Sequence, residues 1–204
     1  MKKWQCSVCN YIHEGEEPPE KCPICGADRN KFVEFTENGN ASEDNTETGT
    51  VEVAPSTISE KITTFILANH IHPITIHGPN GIIPMAVLFL VLAAVLQLPG
   101  FGNAAYLSLI FVLLSMPPVL LSGYLTWQKK YKGAKTSVFK IKIASSCVAT
   151  IILIGLIAWK TARPDILGAA SLDRFIFLFW SLVMLAAVGI AGHLGGQLVF
   201  GGKK

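Results

Sequence analysis

The sequence predicts two dissimilar parts, a small cysteine-rich β domain at the N-terminus and an all-α membrane bundle of four helices. Two Cys-x-x-Cys pairs lie within the first 25 residues. No Asp, Glu, Lys or Arg occurs between Lys61 and Lys129, whereas soluble folds carry charge on their exposed faces. Residues 1–57 carry eleven acidic and five basic side chains, and residues 58–204 carry three and twelve. This asymmetry indicates two parts with different surroundings.

The N-terminal part, residues 1–35, needs support beyond its own apolar core. It holds four aromatic residues but little other apolar bulk, and about 35 residues cannot bury enough surface to offset the entropy of the chain. No export signal is apparent, so we interpret the paired cysteines as metal ligands rather than disulfides. A bound metal would then hold this domain together.

Each Cys-x-x-Cys turn supplies two thiolates, and two facing turns complete a tetrahedral all-sulfur site. That donor set suits iron or zinc. The predicted ligands are Cys6, Cys9, Cys22 and Cys25. The residue after the second cysteine of each pair often needs a positive φ, which Gly26 accepts best and Asn10 next best.

The whole segment resembles the short rubredoxin domain of rubrerythrins. The features that carry this resemblance are both cysteine pairs, the second in the form Cys-Pro-x-Cys-Gly, together with Trp4, Tyr11, Gly15, Pro18 and Phe32. The resemblance implies one iron ion with four cysteine ligands, carrying a single electron, and makes zinc the less favoured metal. The predicted fold is therefore a small rubredoxin-like, metal-bound β domain followed by an all-α integral membrane four-helix bundle.

Between these parts we expect a linker and a short surface helix. Residues 36–57 are polar and acidic and lack aromatic residues, which is typical of a flexible linker. Apolar residues then recur at helical spacing, at Ile58, Ile62, Phe65 and Ile66. The segment 58–72 is too short to span a bilayer and is predicted to lie in the membrane interface, in contact with lipid.

The membrane domain, residues 73–204, is predicted to hold spans at about 82–98, 104–127, 141–159 and 174–200. The loop between the second and third spans is rich in lysine, with Lys129, Lys130, Lys132, Lys135 and Lys140. The positive-inside rule places this loop in the cytoplasm. We therefore expect a multi-pass protein of the inner membrane with both termini cytoplasmic, where the acidic N-terminal domain and the lysine loop would attract each other.

Four histidines belong to the membrane part, and polar groups there are costly enough to ask for a reason. His70, His72 and His77 precede the first predicted span, and His193 lies near the end of the fourth. Both places fall on one side of a four-span bundle, so two imidazoles could hold a haem b. We rank the candidate ligands in the order His77, His193, His72 and His70. Hydrogen bonding or packing is the alternative role, and four candidates would suffice for a second haem.

A second resemblance covers roughly residues 70–202. The segment His72-Pro-Ile-Thr-Ile-His77-Gly-Pro resembles the opening His-Pro-x-x-Val-His-Phe-Pro of a family of bacterial four-helix membrane domains of undefined function. The ending Gly195-Gly-Gln-Leu-Val-Phe200-Gly is similar to the close of that family. This resemblance implies a shared fold and says little about chemistry.

These observations favour electron transfer between the iron centre and a haem, and onward to a quinone or a small oxidant such as oxygen or superoxide. The sequence shows no nucleotide-binding loop, so we expect a cytoplasmic protein such as a rubredoxin reductase to donate electrons. We expect no nucleic-acid partner, and the sequence leaves open whether the chain is an oxidoreductase or forms a homo-oligomer. The alternative is a zinc-ribbon adaptor without redox activity.

Overall fold

A computed structural model of the protein describes residues 2–35, 58–69, 71–168 and 170–201. The chain divides into two compact units. The first comprises Met1–Ile71, Gly123–Lys140 and Gly195–Lys204, and the second comprises His72–Ser122 and Ile141–Leu194. The predicted linker, residues 36–57, and the candidate ligand His70 lie outside the described residues.

The N-terminal domain, called the head below, is a three-stranded antiparallel sheet. Its strands are β1 (Lys2–Cys6), β2 (Ile12–Gly15) and β3 (Phe32–Phe35), in the order β2-β1-β3. The central strand carries Trp4, which is opposite His13 on one side and Glu34 on the other. The Trp4 indole donates to the Gly15 carbonyl at 3.2 Å, which fastens the end of β2 to the middle of β1.

Helix α1 (Ile58–Ala68) is shorter than the predicted 58–72 segment. Asn69 donates its side-chain amide to the Phe65 carbonyl at 2.9 Å and so satisfies one of the carbonyls left over at a helix end. Ile58, Ile62 and Phe65 are all exposed, which gives the helix one uncovered apolar side. Ile71 and His72 belong instead to the first long helix.

Four helices are long and apolar enough to cross a membrane: α2 (Ile71–Leu96), α3 (Pro99–Lys130), α4 (Ser137–Ala162) and α5 (Leu172–Phe200). Each is longer than its predicted span. A helix of 26 residues is about 39 Å long, compared with about 30 Å of hydrocarbon. The helices therefore continue past the apolar segments from which the spans were predicted.

The boundary between the first two long helices differs from the prediction. The first span was expected to end at about residue 98 and the second to begin at about residue 104, which left Pro99 in the connection between them. Pro99 begins α3 instead. A proline suits the first helical position because the missing N–H would have no partner there. The preceding turn is made by Gln97, with a φ of 55°, and its side chain donates to the Ala94 carbonyl at the end of α2.

The core of the second unit is a contiguous set of buried side chains from all four long helices, including Leu90, Leu109, Leu153 and Phe177. The outer faces carry large exposed apolar residues such as Leu88, Phe111, Ile151 and Phe179. A soluble protein rarely exposes apolar surface on this scale. The second unit is thus built to be surrounded by lipid, and the chain is a multi-pass membrane protein.

Residues 127–140, called the α3–α4 loop below, comprise the end of α3, the connection and the start of α4; they carry five lysines and are well packed within the first unit. Lys132 and Gly133 both have positive φ, and the Gly133 N–H donates to the Trp127 carbonyl, which ends α3. The Trp127 indole then donates to the Ala134 carbonyl at 2.9 Å. The rings of Tyr131 and Phe139 lie 5.1 Å apart. The loop therefore presents aromatic side chains as well as lysines.

Candidate metal centre and membrane histidines

Two similar turns form the candidate metal centre. In the first turn, the Asn10 N–H donates to the Cys6 carbonyl at 2.9 Å, and Asn10 has a φ of 60°. In the second, the Gly26 N–H donates to the Cys22 carbonyl at 2.8 Å, and Gly26 has a φ of 71°. The positive φ expected at both positions is thus confirmed, and asparagine takes the place of glycine in the first turn.

The turns bring the four predicted ligands together. All four Sγ atoms lie within 4.8 Å of one another. The Sγ atoms of Cys6 and Cys25 are 3.8 Å apart, and those of Cys9 and Cys22 are 3.5 Å apart. A tetrahedral ion with metal–sulfur bonds of about 2.3 Å requires sulfurs roughly 3.8 Å apart. The donor set and its spacing therefore fit one thiolate-bound ion.

The protonation of the four thiols also fits a cation. Their mutual hydrogen bonds, led by those with Cys22, lower the pKa of Cys6 and raise the pKa of Cys9 and Cys25. The hydrogen bond with Cys25 lowers the pKa of Cys22 to about 7. The four thiols are thus close enough to influence one another's ionisation. A metal ion would allow all four to ionise, and its binding would release protons.

The second cysteine turn is covered by two other segments of the first unit, which we call the docking seat. The seat comprises the α3–α4 loop and the end of α5, represented by Trp127, Tyr131, Thr136, Val138, Phe139, Gln197, Leu198 and Gly201. Its apolar members pack in one cluster with buried Cys6, Cys22 and Cys25. The cysteine cluster is therefore continuous with side chains at the ends of the long helices.

Two hydrogen bonds fix the second cysteine turn on the docking seat. The Thr136 hydroxyl donates to the Cys25 carbonyl at 2.5 Å, and the Gln197 amide donates to the Pro23 carbonyl at 3.1 Å. Both acceptors are backbone atoms of the turn that supplies two metal ligands. The turn is therefore held through the same backbone that positions its sulfurs.

Close packing adds to these hydrogen bonds. A Cβ at Gly26 would lie 3.6 Å from the Val138 side chain, which is ordinary contact. A Cβ at Gly201 would lie only 2.6 Å from the Ile24 side chain. The Gln197 carbonyl lies equally close to that position, so a side chain at residue 201 would disturb both the end of α5 and its contact with the cysteine turn.

Tyr131 connects the cysteine cluster to α5. Burial away from water is the main cause that raises the pKa of Tyr131 to about 12. The phenol therefore stays protonated and donates to the Leu198 carbonyl at 3.4 Å. The Tyr131 phenol is thus a neutral, buried hydrogen-bond donor that packs against the cysteine cluster and bonds to the end of α5.

The contacts at the docking seat are apolar and hydrogen-bonded rather than ionic. Among the described residues, no loop lysine forms an ion pair with a carboxylate of the head. The head has ion pairs between its own residues, such as Lys2 with Glu34 and Arg29 with Glu17. The expected attraction of opposite charges therefore does not supply the close contacts.

The sequence indicated that the lysine loop would attract the head, but not which apolar and hydrogen-bonding residues would hold it, nor that the end of α5 would take part. The aromatic residues Trp127, Tyr131 and Phe139 among the loop lysines were a usable signal, because exposed loops seldom carry three large rings. Thr136 and Gln197 gave no signal, since each acts through a single hydrogen bond to a residue more than 100 positions away.

The three candidate haem ligands that the structure describes differ in burial and in hydrogen bonding. The His72 ring is partly buried, and its Nδ1 lies 3.2 Å from the Ser122 hydroxyl. His77 and His193 are exposed. Within the part of the chain that is described, the four cysteines form the one group of three or more side chains able to hold a metal ion directly.

The glycines near the exposed histidines leave open space. A Cβ would meet nothing within 4 Å at Gly81, one turn after His77, or at Gly189 and Gly196, one turn on either side of His193. Gly192 differs, because the Asn80 amide lies 3.3 Å from its Cβ position, so α2 and α5 approach closely there. The open faces have room for a flat group or for lipid.

Comparisons with known proteins agree with both parts. The rubredoxin-like domain of rubrerythrin matches residues 4–33. Reverse rubrerythrin-1 of Clostridium acetobutylicum is 59% identical over 39 residues, which is 19% of this chain and 22% of that protein. The putative rubrerythrin of Methanocaldococcus jannaschii is 50% identical over 30 residues, 15% of each chain. The chain thus spans less than a quarter of the length of these curated relatives.

The long helices match a different family. No solved structure matches the chain. The family described as predicted membrane protein (DUF2231) matches residues 68–203, which is two thirds of the length of this chain. The chain therefore belongs to the DUF2231 family of predicted membrane proteins and carries a rubredoxin-like domain of the rubrerythrin type at its N-terminus.

Proposed function

We propose that the protein is a membrane-bound electron-transfer protein that passes single electrons between a rubredoxin-type iron centre and a haem b in its membrane domain. The observation that carries this proposal is the docking of the second cysteine turn on the ends of α3, α4 and α5. A purely structural metal would not need its ligand turn to face the membrane helices. An electron carrier gains from such contact, because it shortens the path that the electron takes.

The residues of the chain have distinct parts in this function. The four cysteines hold the ion, and iron in this site supplies one-electron chemistry. Thr136 and Gln197 orient the second cysteine turn, and the cluster around Tyr131 excludes water from one side of the ion. A buried, water-poor surrounding requires little reorganisation when the charge of the ion changes.

The electrons would enter from a cytoplasmic donor such as a rubredoxin reductase and leave to a quinone or to oxygen or superoxide. The direction of flow and the acceptor would decide whether the protein is an oxidoreductase. The lysines of the α3–α4 loop support a location in the inner membrane with that loop and both termini in the cytoplasm. The exposed apolar side of α1 supports contact of this helix with lipid.

Metal and haem analysis of the purified full-length protein tests this proposal. We expect about one iron per chain, a visible spectrum of ferric thiolate that bleaches on reduction, and a Soret band that shifts on reduction. A protein that contains neither iron nor haem after expression with both supplied would contradict the proposal.

The geometry of the cysteine site also supports one alternative. Sulfurs at these distances suit zinc as well as iron, so the head could be a zinc ribbon that recruits a partner to the membrane. In that case we expect stoichiometric zinc, no iron, and no change in the spectrum on reduction.

A further inference from the structure

A chain of hydroxyl groups holds one side of the His72 imidazole. His72 lies in the first turn of α2, and its Nδ1 is 3.2 Å from the Ser122 hydroxyl on α3. Ser122 is only 2% exposed and donates to the Val119 carbonyl at 3.1 Å. Thr75, one turn further along α2, lies 3.4 Å from the same serine oxygen and donates to the His72 carbonyl at 3.1 Å.

This arrangement favours one tautomer of the His72 imidazole. A serine hydroxyl has one proton and two lone pairs. We assign the Ser122 proton to the Val119 carbonyl, which can only accept, so that the Ser122 oxygen accepts from the imidazole. Nδ1 of His72 therefore carries the proton, and Nε2 carries the lone pair. Histidines that bind metals typically donate their other N–H to a neighbouring acceptor in this way.

We propose that His72 is an axial ligand of the haem through Nε2 and that Ser122 is the positioning residue that holds its ring. This inference rests on the proposed function. It places His72 before His77 and His193, which come first in the order of haem ligands predicted from the sequence. Within the described residues, no hydrogen bond reaches the ring of His77 or His193, and both rings are exposed. A ring without a partner is not fixed in a ligating orientation.

A positively charged side chain near His72 would suit a haem, because a haem carries negative charge. Lys142 on α4 is partly buried and lies within electrostatic range of His72. Among the described residues, no carboxylate forms an ion pair with Lys142. A haem carries two propionate groups, and a lysine at this place would pair with one of them. His72, held by Ser122 and Thr75, would thus offer the nitrogen ligand, and the charge of Lys142, which acts on His72, would offer a countercharge.

Haem content of full-length variants tests the assignment. We expect His72→Gly to lose most of its haem, at least tenfold relative to the unchanged protein, and to regain it when imidazole is added. His77→Gly is expected to keep its haem. If His72→Gly holds as much haem as the unchanged protein, with the same low-spin spectrum, the assignment is wrong while the proposed function stands.

The role of Ser122 has its own readout. The ¹⁵N shifts of histidine-labelled protein report the tautomer, and we expect the N–H of His72 on Nδ1. Ser122→Ala should move it to Nε2 and lower haem affinity by about 10- to 100-fold, and Ser122→Thr should restore both. Ser115→Ala is the matched control. The Ser115 hydroxyl, also on α3, donates to the Val112 carbonyl of the same helix at 2.7 Å. An Nε2–H tautomer in the unchanged protein would overturn the inference.

A third outcome separates this inference from the function on which it rests. A protein that takes up no haem even when haemin is added would remove the haem from the proposed function and the ligand role of His72 with it. An Nδ1–H tautomer in that protein would leave the Ser122 hydrogen bond in place. The two measurements therefore distinguish a wrong ligand from a wrong cofactor.

Discussion

Removing the two hydrogen bonds that fix the second cysteine turn should release the head from the docking seat. We consider Thr136→Val, which keeps the shape of the side chain but loses the donor to the Cys25 carbonyl, and Gln197→Ala, which loses the donor to the Pro23 carbonyl. A net hydrogen bond contributes about 0.5–1.5 kcal/mol. Each variant should therefore raise the undocked fraction about 2- to 13-fold, at about 1.4 kcal/mol per tenfold change.

The assay follows the loss of metal from the full-length protein in lipid nanodiscs. The head is loaded with cobalt, whose thiolate absorbance reports occupancy, and an excess of EDTA removes the ion. If the chelator reaches the ion only after undocking, the rate of removal is proportional to the undocked fraction. With about 1 kcal/mol per bond, the double variant should lose cobalt on the order of 30-fold faster, provided the two effects add.

Thr150→Val is the matched control for this experiment. Thr150 lies in α4, in the second unit, where its hydroxyl donates to the Ser146 carbonyl at 2.8 Å and lies 3.9 Å from the Met116 sulfur. Its variant should lose cobalt at the unchanged rate. If the double variant also loses cobalt at a rate within twofold of the unchanged protein, the hydrogen bonds do not hold the head and the reasoning is refuted.

Three further predictions concern the same region. Cys25→Ser should lose most of the metal, as measured by mass spectrometry of the intact protein, because one of four thiolates is gone. Gly201→Ala should speed cobalt removal because its Cβ would collide with the Gln197 carbonyl at the end of α5 and with Ile24, whereas Gly196→Ala, with open space at its Cβ, should not. The stability that Tyr131 provides should be complete below about pH 10, the ordinary pKa of tyrosine, and be lost as the pH rises towards its folded pKa of about 12. Tyr131→Phe should remove this loss from the alkaline unfolding profile.

Each of these predictions has a result that contradicts it. Metal retained by Cys25→Ser at the level of a Cys147→Ser control would show that Cys25 is not a ligand. Equal cobalt removal from the Gly201 and Gly196 variants would show that α5 does not press on the cysteine turn. An alkaline profile that is the same in Tyr131→Phe would assign the loss to another group.

The head could be predicted closely because its determinants are local. The two cysteine pairs, with Asn10 and Gly26 after them, specify turns whose geometry depends on a few neighbouring residues. The four long helices could be predicted from hydropathy for a similar reason, since lipid requires a long apolar run. Their ends could not, because Pro99 and Ile71 continue a helix beyond the apolar segment.

The contacts between distant segments could not be predicted from the sequence. His72 and Ser122 lie 50 positions apart, and nothing in either segment indicates that one would hold the other. The same applies to Gln197 and Pro23, which are 174 positions apart. Both pairs depend on how elements pack, and hydropathy and motif spacing report only on the elements themselves. His77 was ranked above His72 because it lies closer to the first predicted span and further from the lipid headgroups, and the contact with Ser122 leaves no signal in the sequence.

The central claim, that an electron passes between the head and the membrane domain, is tested most directly by rapid mixing of the full-length protein in nanodiscs. The head iron is reduced by a soluble one-electron donor, and absorbance is followed at the ferric thiolate band and at the α band of reduced haem. The account predicts that the haem is reduced in the phase in which the iron is reoxidised, and that the double Thr136→Val, Gln197→Ala variant slows this phase. A reduced iron centre that stays reduced beside an oxidised haem would contradict it.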